Sequence, residues 1–142
     1  MKVFLWIWQL PQNLIGWLLT RFSKEKLVVT FNDGTNGIIY FTNNVFGCGV
    51  NLGNYIILDY NNYYFTRNSK SSKLTYNHEH GHQKQSLYFG WFYFVFIGIS
   101  SAIFNNLWDR LFHKKWDSTK RYYWYYSRYP EKWADKLGGV NR

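Results

Sequence analysis

Residues 77–82 read Asn77-His78-Glu79-His80-Gly81-His82, which gathers three of the chain's four histidines within five positions. The spacing His78-Glu79-x-x-His82 places two imidazoles at i and i+4, on one face of a helix. Imidazoles so placed can share one zinc ion, and Glu79 beside them can take a proton from a water that the metal polarises. This H-E-x-x-H pattern arises by chance on the order of once in a few hundred chains of this length. The competing reading is a solvated polar helix turn with clustered histidines. Residues 67–74 are polar, Ser71 or Ser72 offers an N-cap, and Gly90 offers a stop. A motif helix over 72–89 follows.

Upstream, residues 26–66 carry the marks of a sheet. Lys26-Leu27-Val28-Val29-Thr30-Phe31 and Gly37-Ile38-Ile39-Tyr40-Phe41-Thr42 are β-branched and aromatic, with Asn32-Asp33-Gly34 and Asn36-Gly37 as turn signals between them. A looser stretch punctuated by Gly47, Gly49 and Gly53 precedes a third strand at 55–60, and Asn61-Asn62 turns it into a fourth at 63–66. The expected sheet is small and antiparallel.

The chain has 142 residues, one cysteine, 46% apolar residues and a net charge of +9. That length suits a single domain, and the apolar content excludes wholesale disorder. A lone Cys48 excludes a disulfide framework and a zinc site of several thiolates. Aromatic residues make up 23% of the chain, more large rings than a small core can hold. Some must face a partner, and Trp and Tyr suit surfaces that are apolar on one side and wet on the other. The positive charge fits anionic lipid headgroups or nucleic acid. The basic-aromatic stretch 114–124 suits base stacking as well as a membrane interface. No nucleic-acid motif is present, so nucleic acid ranks below a lipid surface as a partner.

Two segments support the lipid reading. Residues 1–22 are apolar between Lys2 and Arg21 and are cut by Pro11, Gln12 and Asn13. They end in Thr20-Arg21-Phe22, a poor cleavage site for a signal peptide, so they read as a broken anchor helix in a membrane interface. Residues 85–108 hold no charge over 24 positions, enough to span a bilayer.

A catalytic zinc site needs a third protein ligand. Glu131 and Asp135 stand at i and i+4 in a short helix over 130–137, with Pro130 at its start and Gly138 at its end. Glu131 is the leading third ligand, and Asp135 can fix the tautomer of a ligand histidine. His80 and His113 are weaker candidates. The bland alternative pairs Glu131 and Asp135 with Lys132 and Lys136 on an exposed face.

His78-Glu79-His80-Gly81-His82 followed by Glu131-Lys132-Trp133-Ala134-Asp135 resembles the gluzincin metallopeptidases, most nearly the membrane-bound group related to the CAAX prenyl protease. The resemblance covers a few tens of residues. It implies an α+β, zincin-like fold with Zn2+ held by His78, His82 and Glu131, Glu79 as general base and Asp135 behind a ligand. It implies that the strand before the motif helix, with Tyr55, Ile56, Ile57 and Leu58, is an edge that pairs with an extended substrate. The expected activity is membrane-associated, zinc-dependent hydrolysis of a peptide or membrane-proximal protein. A zinc-binding accessory protein without turnover is the alternative.

The two halves of this site flank residues 85–108. A single span there would put His82 and Glu131 on opposite sides of a membrane. Either the run is a helical hairpin bent near Gly98 to Ser101, or it is a buried or interfacial helix, or Glu131 is not the ligand; the first two together are the expectation.

Overall fold

The computed structural model describes residues 2–43, 49–60 and 70–142. The expected strand at 63–66 lies outside the described residues. The fold is α+β, with helices around a four-stranded mixed sheet. Strands β1 (Glu25–Thr30), β2 (Asn36–Thr42), β3 (Gly49–Leu52) and β4 (Tyr55–Asp59) run in the order β1-β2-β4-β3. β1 pairs antiparallel with β2, as the intervening turn dictates, with Val28 opposite Ile38. β3 pairs antiparallel with β4 through a tight turn at Gly53, whose φ of 62° favours glycine. β4 then lies parallel to β2, with Ile39 opposite Ile56.

This topology corrects two expectations. The sheet is mixed, because β4 enters beside β2 only after the chain has passed through β3. Tyr55, Ile56, Ile57 and Leu58 form an interior strand, and among the described residues β3 is the edge beside it. The reason lies in composition. Ile56, Ile57 and Leu58 are each 1% exposed or less. A continuous apolar run is buried on both faces, which suits an interior position. Ile56 and Leu58 join Ile39, Phe41, Phe31 and Tyr76 in one core cluster.

Helix α3 (Lys70–Phe89) carries the motif and supplies Tyr76 to that core. Its described span starts at Lys70, and Ser71 and Ser72 lie within the helix. Helix α4 (Ser118–Tyr126) starts on Asp117, whose side chain accepts a hydrogen bond from the Lys120 N–H. Helix α5 (Glu131–Gly138) closes at Gly139, which has a φ of 66°.

The apolar N-terminal segment is broken, as expected, but at Gln9, between α1 (Lys2–Trp8) and α2 (Leu10–Thr20). Pro11 stands in the first turn of α2, where a missing N–H costs nothing, so it opens a helix instead of ending one. Gln9, Gln12 and Asn13 are fully buried. Asn13 Oδ1 accepts from the Asn54 N–H at 2.7 Å, fixing α2 to the β3–β4 turn.

The run at 85–108 bends by 120° between residues 70–92 and an outer arm, Phe94–Phe112. No single described helix is long and apolar enough to cross a membrane. The bend falls at Gly90 and not near Gly98 to Ser101. Gly90 has a φ of 52°, and the Trp8 ring occupies the space a Cβ would need. Gly98 and Ser101 sit inside the arm, which winds as wide π-helical turns over Phe94–Gly98 and Ser100–Leu107.

Candidate metal centre

Helix α3 presents His78 and His82 on one face, and α5 crosses that face. The crossing is close because small residues meet backbone there. A Cβ on Gly81 would overlap the Ala134 carbonyl, and one on Gly138 would overlap the Asn77 carbonyl. Glu131, in the first turn of α5, is thereby brought over both histidines. His78 Nε2 lies 3.0 Å and His82 Nε2 lies 3.1 Å from Glu131 Oε2. All three side chains are buried, Glu131 completely.

Their partners fix which atoms face inward. His78 Nδ1 donates to Asp135 Oδ1 at 2.8 Å. His82 Nδ1 donates to Gln85 Oε1 at 2.7 Å. Gln85 Nε2 donates to the Pro130 carbonyl at 3.0 Å, so its oxygen is the atom turned to His82. With protons on both Nδ1 atoms, both neutral imidazoles offer a lone pair at Nε2. Two lone pairs then converge on a carboxylate oxygen, in a space from which water is largely excluded. Only a cation reconciles three acceptors at such distances. The ligand atoms lie within 4.8 Å of one another, and the group can hold a metal ion. Metal-ligating histidines characteristically donate their other N–H to a carboxylate or carbonyl, as both do here.

A proton is the other cation available. Burial lowers the affinity of His78 for it, but the hydrogen bonds to Asp135 and Glu131 outweigh burial and raise its pKa to about 9. Burial would raise the Glu131 pKa, yet the two histidines hold it well below the usual carboxylate range. Both directions describe a site built to concentrate positive charge.

No protein-family model matches the chain, and neither a curated protein nor a solved structure is similar to it. The chemistry of the site therefore rests on its own residues.

Glu79 turns toward a cleft of about 840 Å³ whose lining also includes His78, His82 and Glu131. Its carboxylate makes no hydrogen bond among the described residues, and burial raises its pKa. Gly49, on the edge strand, leaves room for it, since a Cβ there would lie 3.2 Å from Glu79 Oε1. Asp135 is held from behind by Arg142, whose Nε lies 3.0 Å from Oδ2. The same guanidinium donates to the Tyr122 hydroxyl and lies 3.6 Å from the centre of the Tyr126 ring.

The two weaker ligand candidates are elsewhere. His80 stacks on Phe31 with ring centres 3.9 Å apart, and its Nε2 donates to Asp33 Oδ2 at 2.8 Å. His113 stacks on Trp116 and meets Asp109. Glu131 and Asp135 do not pair with Lys132 or Lys136, which corrects the bland reading of α5.

Sequence reasoning missed Ser101 and Arg142. Ser101 Oγ, from the outer arm, donates to Glu131 Oε1 and leaves Oε2 to face the histidines. Ser101 also lies 3.3 Å from the Tyr125 hydroxyl, to which Asn106 Nδ2 donates. Of the tyrosines near the C-terminal end, Tyr122, Tyr125 and Tyr126 line the cleft. Tyr123 is 60% exposed, and Tyr129 donates to the Phe96 carbonyl.

Proposed function

We propose that this chain is a zincin-like, zinc-dependent peptidase acting at a membrane surface. The observation that carries the reading is the convergence of His78 Nε2, His82 Nε2 and Glu131 Oε2 beside a buried Glu79 carboxylate that makes no hydrogen bond among the described residues. Two imidazoles and one carboxylate with a fourth side open to a cleft suit zinc in its catalytic form. Zinc bound there would supply a Lewis acid, polarising a peptide carbonyl and acidifying a water.

The chain's own groups account for the rest. Glu79 is free to accept a proton from the attacking water and to pass it to the leaving amine. Its raised pKa brings it closer to the range in which a base both takes and returns a proton. Tyr126 packs its ring edge against His78, with centres 5.1 Å apart. Its hydroxyl has no partner among the described residues, and burial keeps it protonated by raising its pKa. It is the donor best disposed toward a developing oxyanion. The β3 edge, with Gly49, Val50, Asn51 and Leu52 along the cleft, offers backbone pairing to an extended substrate.

Glu79→Gln tests the reading. The purified variant should retain about one zinc per chain by elemental analysis and lose cleavage of a quenched fluorescent peptide pool. Equal activity in wild type and variant would overturn it. Zinc binding without turnover in the wild type would leave a non-catalytic zinc protein.

A further inference from the structure

The outer arm, Phe94–Phe112, buries only Ile97 and Asn105 among its side chains. It exposes Val95, Phe96, Ile99, Ile103, Phe104 and Leu107 by 45–57% each. The N-terminal helices share the inversion. Val3, Phe4, Ile7, Leu14, Ile15 and Leu18 are 44–73% exposed, while Gln9, Gln12 and Asn13 are fully buried. Most inward polar groups are engaged with one another and with the bend, while Gln12 Oε1 and Asn105 Oδ1 have no partner among the described residues. Ser86 Oγ donates to Gln9 Oε1 at 2.7 Å, and Gln12 Nε2 donates to the Gly90 carbonyl at 2.6 Å. Trp8 and Trp91 tie the two sides together through the Leu87 and Ile7 carbonyls. Polar side chains turned inside with apolar side chains outside is the arrangement a hydrocarbon solvent selects.

Charge identifies the occupant of that outer face. Exposed Arg21 and Lys24 follow α2, and exposed Arg110, Lys114, Lys115 and Lys120 follow or close the arm. Arg21 lies over Trp17 at 4.5 Å, and Lys120 over Trp116 at 4.2 Å. Apolar surface bordered by Trp and cations matches a leaflet with anionic headgroups.

This arm also carries Ser101, which holds the ligand Glu131. Asn105 Nδ2 donates to the Tyr129 carbonyl at 3.1 Å, fixing the arm to the turn before α5. We propose that the arm and α1–α2 seat in one leaflet of an anionic bilayer, and that Ser101 transmits this seating to the metal site, so that lipid and metal bind cooperatively. The proposal rests on His78, His82 and Glu131 holding a metal. Whatever keeps the arm in place keeps Ser101 on Glu131, and a ligand held in its binding geometry costs less to order when the metal arrives. Linkage makes the effect reciprocal. Metal must strengthen lipid binding by the factor by which lipid strengthens metal binding.

The test measures partition of the full chain onto vesicles of three parts phosphatidylcholine to one part phosphatidylglycerol, with free Zn2+ and with chelator. Zinc should strengthen partition by about 5-fold or more, the low end of ordinary coupling. Ser101→Ala should still float, lose the zinc response, and bind zinc on vesicles about 10–100-fold more weakly by chelator competition. Ser101→Thr, which restores the hydroxyl, should recover both. Phe104→Asp should weaken partition. Failure to bind vesicles, as for a face covered by a second copy of the chain, would overturn the proposal. So would equal binding to pure phosphatidylcholine, partition indifferent to zinc in a wild type that binds the metal, or a Ser101→Ala response equal to wild type. No zinc on vesicle-bound wild type would overturn the metal reading itself, and peptide turnover enters none of these readouts.

Discussion

Gly81 of α3 lies against Ala134 of α5 so closely that the Ala134 carbonyl oxygen fills the space of a Gly81 side chain. This contact sets the separation of the two helices and thus the reach from Glu131 to His78 and His82. Gly81→Ala must push α5 away or strain both helices. Overpacking of this kind costs about 1–3 kcal/mol and more where backbone is the obstacle. The variant should melt lower and bind less than the wild type's metal, measured by thermal unfolding with elemental analysis. Wild-type values for both would show that this packing does not position the site.

Proton and metal compete at His78, which gives a pH dependence with a definite sign. Its folded pKa is raised from 6.5 to about 9, with burial opposing and Asp135 and Glu131 prevailing. A raised folded pKa stabilises the metal-free chain fully below about 6.5, and that contribution is lost as pH rises through about 9. The melting temperature of metal-free protein should therefore fall across this window. Binding of metal displaces the proton, so apparent zinc affinity should rise across the same window by up to about one decade per pH unit. The melting temperature of metal-loaded protein should lack the fall. A metal-free chain whose stability is flat from pH 6.5 to 9 would contradict the assignment.

The motif helix, the helix with Glu131 and the pairing of β1 with β2 were all legible in the sequence. Each rests on local chemistry, such as an i, i+4 spacing, a turn dipeptide or an alternating strand. The same holds for meeting Glu131 with the histidines, once one metal must be shared. The interior placement of β4 had a signal too, since Ile56-Ile57-Leu58 has no polar side chain to turn toward solvent. β3 had almost none, with only Val50 and Leu52 as apolar members of a four-residue strand beside two glycines. The bend at Gly90 depends on Trp8, more than 80 positions away, filling the space of a side chain. Ser101 and Arg142 are polar residues among many, and partner choice across 30 positions, as for Ser101 and Glu131, leaves no periodicity to read.

Arg142 should govern the metal through Asp135. Its Nε reaches both carboxylate oxygens, at 3.2 and 3.0 Å, and its guanidinium is wedged against Tyr126 and Tyr122. Asp135 in turn orients the His78 ring. Removing such a partner typically costs 10–100-fold in metal affinity. Arg142→Ala should weaken zinc in chelator competition by about 10-fold, at the lower end because Asp135 itself remains. Arg142→Lys should recover little, since a point ammonium cannot reproduce the planar fork stacked on a ring. Full affinity in Arg142→Ala would mean that Asp135 is held well enough by α5 alone.

Tyr126 gives the sharpest separation between binding and chemistry. Its ring contact with His78 is kept in Tyr126→Phe, and the lost hydroxyl has no partner among the described residues, so stability and zinc content should stay near wild type. Burial holds the phenol protonated throughout the working pH range, which leaves it a donor and never a base. A donor used only as charge develops on the substrate lowers kcat with little change in KM. Loss of one such donor typically costs about 100–1,000-fold in kcat. Steady-state kinetics on a single fluorogenic peptide measures both parameters. A variant with a raised KM and unchanged kcat would instead place the hydroxyl on the ground-state substrate, and Tyr125 would become the next residue to change.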